Sequence, residues 1–204
     1  WSYAPLSGVD AGATCSFASP SSPATTITCT DDGVYTATLT ANDGVNPAVS
    51  DSTTVTVSNA NPQVTITSPP AGSYLPGTTI PLSASFTDAG RNDTHTCTID
   101  WGDGTPVANG TVSESNGAGT CTGSHSYATS AGGSHTIVVT VKDDDLGTGT
   151  DSVTLTVFTP RSLKQDAIAR ANALIPTANK SDADKLRAVV TEVTTSLDPS
   201  RWVN

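Results

Sequence analysis

Through the first 160 residues, apolar and polar positions alternate with a period of two. The runs are short: Tyr35-Thr-Ala-Thr-Leu-Thr-Ala41, Thr53-Thr-Val-Thr-Val57, Val64-Thr-Ile66, Ile80-Pro-Leu-Ser-Ala-Ser-Phe86 and Ser152-Val-Thr-Leu-Thr-Val157. Successive side chains of a strand point to opposite faces. Such runs therefore turn Val, Leu and Ile inward and leave the β-branched Thr on a wet face. Clusters of Gly, Pro, Asn, Asp and Ser separate the runs and supply the turns. Strands at roughly 8–12 residue spacing, without helical periodicity, predict two antiparallel sheets packed as a sandwich.

The period changes near residue 160. Leu186, Val189, Val190, Val193 and Leu197 fall on one face of a helix, and Leu163, Ile168, Ala171, Leu174 and Ile175 make a similar stripe. The spacing predicts helices over 162–175 and 181–197. Ser181 or Asp182 is the expected cap of the second, Pro176 follows the first, and Asp198-Pro199 ends the second. Such a hairpin is too short for a core of its own, so it is expected to dock on the preceding sandwich or on a neighbouring copy.

An internal repeat organises the β region. Residues 33–57 align without a gap on 133–157 with nine identities, among them Gly33/Gly133, Thr36/Thr136, Asp43/Asp143, Asp51/Asp151 and Val57/Val157. Two homologous units in tandem follow, joined at Asn59-Ala-Asn-Pro62. The second has about the 100 residues that a seven-stranded sandwich needs. The first has only about 14 residues before its first Cys, where the second has about 35 after Pro62. The first unit is therefore expected to lack two strands and to expose an apolar inner face, including Phe17, Tyr35, Leu39 and Val55. Either those strands belong to a longer parent chain or another chain supplies them.

Charge sharpens the boundary. The net charge is -10, yet residues 1–160 hold only Arg91 and Lys142 as basic residues against fourteen acidic ones. Residues 161–204 hold seven basic and five acidic residues. An acidic surface argues against nucleic acid as a partner, because phosphate binding needs Lys and Arg. No apolar run approaches the roughly 18 residues of a membrane span, and no basic stretch with an apolar run marks a leader peptide. Thr and Ser number 35 and 24, a composition suited to strand surfaces and turns.

Four Cys fall two per unit and in the same order. They read as two bridges, Cys15–Cys29 and Cys97–Cys121, and place the protein in an oxidising, extracellular compartment. Zinc is the alternative, but no Cys-x-x-Cys spacing supports it. Asp31-Asp-Gly-Val-Tyr35 has the spacing of a tyrosine corner, in which the Tyr35 hydroxyl bonds the backbone upstream.

The second unit carries Ile99-Asp-Trp-Gly-Asp-Gly-Thr105, then His125-Ser-Tyr127, then His135-Thr-Ile-Val-Val-Thr-Val141 and Asp143-Asp-Asp145. In these motifs it resembles the polycystic kidney disease (PKD) domain family, immunoglobulin-like sandwiches common on secreted and surface proteins of prokaryotes. The Phe that often stands between the Trp and the Gly is absent. The resemblance covers about 97 residues and implies structural roles for Trp101, Asp103, His125 and Tyr127. Leu197-Asp-Pro-Ser-Arg-Trp202 is similar to a short helical element that follows such repeats. The fold class expected is mainly β: a partial immunoglobulin-like unit over 1–59, a complete PKD-like sandwich over 60–159 and a helical hairpin over 160–204.

The motifs offer little chemistry. Asp100 and Asp103 flank Trp101 as an acid pair might, but Gly102-Asp-Gly104 reads better as a tight turn. His95, His125 and His135 read as packing or hydrogen-bonding groups, and neither Glu114 nor Glu192 has a partner motif. The acidic loops are the best candidate site. Asp143, Asp144 and Asp145 follow one strand, while Asp88, Asn92 and Asp93 lie in a loop at the same end of a sandwich. Oxygens converging there suit Ca²⁺, which takes 6–8 of them, and some PKD-type domains hold calcium at loops or linkers. The same residues also read as turn formers and surface solubilisers. Asp43 and Asp51 are a weaker echo in the first unit.

The expected function is that of a non-catalytic extracellular spacer, adhesion or assembly module, able to form filaments by strand complementation. Its expected partners are other domains of a parent chain, further copies of itself, or a protein or glycan ligand. The alternative is an accessory binding module of a secreted protease or glycosidase.

Overall fold

The computed structural model describes residues 1–128 and 130–196. Among the described residues, fourteen strands precede two α-helices. The chain forms two compact units, one of residues 1–70, 81–124 and 137–153, the other of residues 71–80, 125–136 and 154–204.

The amino-terminal part of the first unit holds five strands: β1 (Ser2–Ser7), β2 (Cys15–Phe17), β3 (Ile27–Cys29), β4 (Gly33–Ala41) and β5 (Val49–Val57). β4 lies between β1 and β5, antiparallel to both. β2 and β3 make a separate hairpin in which Cys15 faces Cys29, and the two are bridged. Part of the apolar face expected to be bare is covered from within. Tyr35 is buried, Tyr3 meets it edge-on at 6.4 Å, and Trp1 stacks on Phe17 at 5.9 Å. Aromatic rings reach farther than aliphatic groups, so Tyr3 and Trp1 cover Tyr35 and Phe17, part of the face that the spacing argument assigned to missing strands. Phe17, Leu39 and Val55 are half-buried.

The following residues form β6 (Gln63–Ser68), β7 (Gly72–Tyr74), β8 (Thr79–Thr87), β9 (His95–Asp100), β10 (Ala108–Asn109), β11 (Thr111–Ser115), β12 (Ala118–Ser126), β13 (Gly133–Asp143) and β14 (Thr148–Val157). One sheet runs β10-β9-β13-β14-β7 and the other β11-β12-β8-β6. Alternation decides what is buried: Ile80, Leu82, Ala84 and Phe86 of β8 point in, as do Ile137, Val139 and Val141 of β13. Cys97 of β9 is bridged to Cys121 of β12, which staples one sheet to the other. Gly110 lies against the Cys97 sulfur, where any Cβ would collide.

Thr159 caps helix α1 (Pro160–Leu174) in a reciprocal box with Ser162, and Pro160 stands at the first helical position. A 3₁₀ turn, Ile175–Thr177, leads to α2 (Lys180–Thr195). The cap of α2 is Asn179, not Ser181 or Asp182. Asn179 has extended backbone and accepts from the Asp182 N–H at 3.0 Å, while its own amide donates to the Asp182 carboxylate at 2.8 Å. Of the apolar stripes, Leu163, Ile168, Ala171, Ile175, Leu186, Val190 and Val193 are half-buried, whereas Leu174 and Val189 stay exposed. Leu197, Asp198-Pro199 and the stretch to Trp202 lie outside the described residues. Among the described residues no helix is long and apolar enough to cross a membrane.

Candidate metal centre

The site is assembled from five chain segments of the first compact unit. Asp31 and Asp32 precede β4. The Tyr35 hydroxyl, buried beneath them, donates to the carbonyls of Asp31 (3.0 Å) and Asp32 (3.2 Å), the geometry of a tyrosine corner. Gly33 turns the chain with φ 108°, and its Cα packs against the Gly8 carbonyl, with no room for a side chain. Asp10 donates its N–H to Asp31 Oδ2 at 2.6 Å.

The β8–β9 loop brings Asp88 and Asp93. Asp88 Oδ1 accepts from the Gly90 N–H at 3.0 Å, which tightens the loop. Gly90 also passes so close to the Asp93 carboxyl that a Cβ would fill the space. The β13–β14 turn brings Asp143 and Asp144. Asp143 accepts from the Gly147 N–H (2.6 Å) and from the Asn59 amide (3.1 Å). Asp144 accepts from the Thr94 N–H (3.0 Å) and hydroxyl (3.1 Å). Asp10 belongs to the β1–β2 loop, and Asn59 supplies the fifth segment, the joint between β5 and β6.

Three triads of carboxylates meet here: Asp31 with Asp32 and Asp93, Asp88 with Asp93 and Asp143, and Asp10 with Asp93 and Asp144. Within each, one oxygen per residue lies within 4.8 Å of the others. Ligands of one Ca²⁺ sit about 2.3–2.6 Å from it, so their mutual distances have an upper limit near 5 Å. The donor set is all oxygen, which suits a hard cation rather than zinc.

Asp93 is the common member, and it is only 6% exposed. Among the described residues no hydrogen-bond donor reaches either of its carboxylate oxygens, nor the buried Oδ1 atoms of Asp31, Asp32 and Asn59. Leaving an anion buried and unpaired is costly, so a proton or a cation must stand among these oxygens. Burial first, then the carboxyl of Asp31 and the charge of Asp88, push the Asp93 pKa up to about 8. Burial, with the charges of Asp145 and Asp31, pushes Asp32 up to about 6. Burial and the charge of Asp144 raise Asp10, and burial and Asp144 likewise raise Asp145. Asp144 goes the other way: burial opposes its charge, but the Thr94 donors hold it below the usual carboxylate range. A small cavity of about 70 Å³ opens beside Asp31, Asp32, Asn59, Ala89 and Gly90.

Of the residues that sequence reasoning nominated, the structure brings Asp88, Asp93, Asp143 and Asp144 together and leaves Asp145 beside them. Asn92 faces elsewhere, accepting from the Thr30 hydroxyl (2.9 Å) and donating to the Ala11 carbonyl (3.3 Å). Asp10, Asp31, Asp32 and Asn59 were missed. The Asp31-Asp32 pair had a visible signal, because the repeat offers Ala131-Gly132 in its place. Glu114, which lacked a partner motif, accepts at 2.7 Å against Nδ1 of the buried His95, whose Nε2 lies 3.4 Å from Asp88. Asp43 is no part of the cluster. It is exposed and accepts from Val45 and from both nitrogens of Asn46, hydrogen bonds that pull its pKa down to about 2.

The motif residues of the sandwich serve packing and turns. Trp101 and Tyr127 are buried, His125 meets Tyr127 edge-on, and His135 stacks on it, both at 4.8 Å. Asp100 accepts from the Gly102 N–H and Asp103 from the Thr105 N–H and hydroxyl, so both carboxyls close their own turns. Gly102 and Gly104 have φ of 72° and 82°.

No protein-family model matches the chain, and no curated protein matches it. Solved structures match parts of it. The PKD1 domain of Vibrio anguillarum Epp is 23% identical over a match covering 50% of this chain and 100% of that domain, with a TM-score of 0.33. The extracellular domain of protocadherin GammaB4 is 22% identical, covering 61% of this chain and 21% of that one, TM-score 0.36. The BIgI domain of beta protein from S. agalactiae, solved bound to CEACAM1, is 14% identical, covering 48% of this chain and 98% of that one, TM-score 0.33.

Proposed function

We propose that this chain is a non-catalytic extracellular module in which a bound calcium ion ties the amino-terminal strands to the loops of the sandwich, making a stiff spacer or adhesion segment. The observation that carries the reading is Asp93, buried with both oxygens unpartnered beside Asp31 and Asp32. A cation there takes oxygens from Asp31, Asp32 and Asp93, with the Asn59 carbonyl oxygen buried nearby and without a donor. Asp32 and Asp93 lie about 60 residues apart in the chain, so the ion closes a long loop and its loss frees the amino-terminal strands. Two disulfides support an oxidising location, and the carboxyls of the Trp101 motif, engaged in turns, support a structural role.

Thermal unfolding with calcium and with chelator tests the reading. Extracellular calcium modules bind at about 10⁻⁴–10⁻³ M, so 10 mM calcium stabilises by about 1.4–2.7 kcal/mol. For a chain of this length that raises Tm by about 3–10 °C. An unchanged Tm at millimolar calcium overturns the proposal.

A further inference from the structure

We infer that the cluster holds two cations rather than one, and that Asp93 bridges them. The inference rests on the calcium reading above and deepens it. The three carboxylate triads have Asp93 in common and no other member. A single ion gathers ligands whose oxygens lie within about 5 Å of one another, and each triad meets that limit separately. One ion at Asp31 and Asp32 therefore leaves the Asp10–Asp144 side unserved. A carboxylate has two oxygens, and neither oxygen of Asp93 has a donor. One can face the ion at Asp31 and Asp32 while the other faces a second ion at Asp10 and Asp144.

The third triad is a weaker competitor for that second ion. Asp88 and Asp143 already accept N–H groups from Gly90, Gly147 and Asn59, and Asp88 also faces His95. These bonds hold the loops in shape. Asp144 likewise accepts from Thr94 through both oxygens, but it also lies carboxyl to carboxyl with Asp10, a repulsive arrangement that a cation between them relieves. Charge points the same way. Asp10, Asp31, Asp32, Asp88, Asp93, Asp143, Asp144 and Asp145 converge, and one divalent ion offsets only two of those charges.

The two sites differ in exposure. Asp31 and Asp93 are buried, Asp32 and Asp10 are half-buried, and Asp144 is exposed. The inner ion is the tighter one, since its ligands lie in a drier setting where Coulomb attraction is less screened.

The test is calcium binding to the intact, disulfide-bonded chain by isothermal titration calorimetry, with calcium chloride as the only ligand. Two ions per chain are expected, bound in two distinguishable phases. Asp10→Asn, a change near the surface, removes the weaker phase and leaves the tighter one. Asp93→Asn weakens both phases by tenfold or more, while far-UV circular dichroism checks that the variant is folded. One ion per chain in the wild type, or two in Asp10→Asn, overturns the bridging inference and leaves the single-ion reading standing. No binding at millimolar calcium overturns both.

Discussion

The two hairpins of the internal repeat, β4–β5 and β13–β14, share nine residues in 25, yet they differ in what surrounds them. Thr36 faces Thr54 in the first, and the Thr136 and Thr154 hydroxyls meet at 3.1 Å in the second. Asp51 and Asp151 each accept the N–H of the next Ser. Beyond that they diverge. Asp151 also takes the Ile66 N–H of β6 at 2.7 Å, and Ile137, Val139, Val141, Leu155 and Val157 are buried. β5 is an edge strand with Val49 exposed, and only Tyr35 and Ala37 of its partner strand are buried. The turns diverge most. Asp43 folds back on its own backbone in water, whereas Asp143, at the matching position, is buried in the carboxylate cluster. Local pairing follows the repeated residues, while burial and chemistry follow whichever strands lie alongside.

The largest effect should come from deleting core volume at matched positions. Leu155→Ala should cost about 2–5 kcal/mol in urea unfolding, and Val55→Ala, at the same place in the half-buried repeat, no more than about half of that. Equal losses would mean that the first hairpin is as well covered as the second.

The bridges come next. The chain-entropy relation assigns roughly 3 kcal/mol to each disulfide. Replacing Cys97 and Cys121 by Ala should cost at least that, because both are buried between sheets, and should lower global stability. Replacing Cys15 and Cys29 should show chiefly as faster amide exchange in β2 and β3, which form a sheet of their own. A global loss from the second pair as large as from the first would erase the distinction.

Titration separates the exposed Asp43 turn from the carboxylate cluster by sign. In the chelated protein, folded Asp93 (pKa about 8) and Asp32 (about 6) hold protons that the unfolded chain releases near pH 4. Stability should therefore fall as pH rises from about 4 to about 8 and level off above. Calcium competes with those protons, so its increment in Tm should be largest near pH 8 and shrink toward pH 5. An increment that grows on acidification would contradict the placement of the ion at these carboxyls.

The smallest effect belongs to Asp43. Its lowered pKa gives stability that is present above about pH 4 and lost as pH falls through about 2. Asp43→Asn should leave the calcium response intact and slightly weaken the turn, read by amide exchange at Val45 and Asn46.

Much of this molecule was legible in its residues. The strands over 35–41, 53–57, 64–66, 80–86 and 152–157 lie inside β4, β5, β6, β8 and β14, because alternation of Thr with Val, Leu and Ile has one workable answer in a half-buried sheet. The Cys pairs followed from their order in the repeat. The tyrosine corner followed from Asp-x-Gly-x-Tyr, since only that spacing lets the Tyr35 hydroxyl reach back to the carbonyls of Asp31 and Asp32. Caps were read less well, because Asn179, Ser181 and Asp182 all have the chemistry and backbone geometry alone chooses among them.

Strand period, turn chemistry and disulfide order are properties of neighbouring or repeated residues, and so the sequence by itself determined them. The carboxylate cluster is different in kind. Asp10, Asp31, Asp32, Asn59, Asp88, Asp93, Asp143 and Asp144 span more than half of the chain, and each alone is an ordinary turn residue. Only the tertiary structure sets the 31–32 corner against the β8–β9 loop and the β13–β14 turn, and only burial strips Asp93 of water and of donors. The free energy of a carboxylate depends on the dielectric and the charges within a few ångströms, whatever their distance along the chain, and that is why residue identity nominated the β8–β9 and β13–β14 carboxylates but left Asp10, Asp31, Asp32 and Asn59 unread.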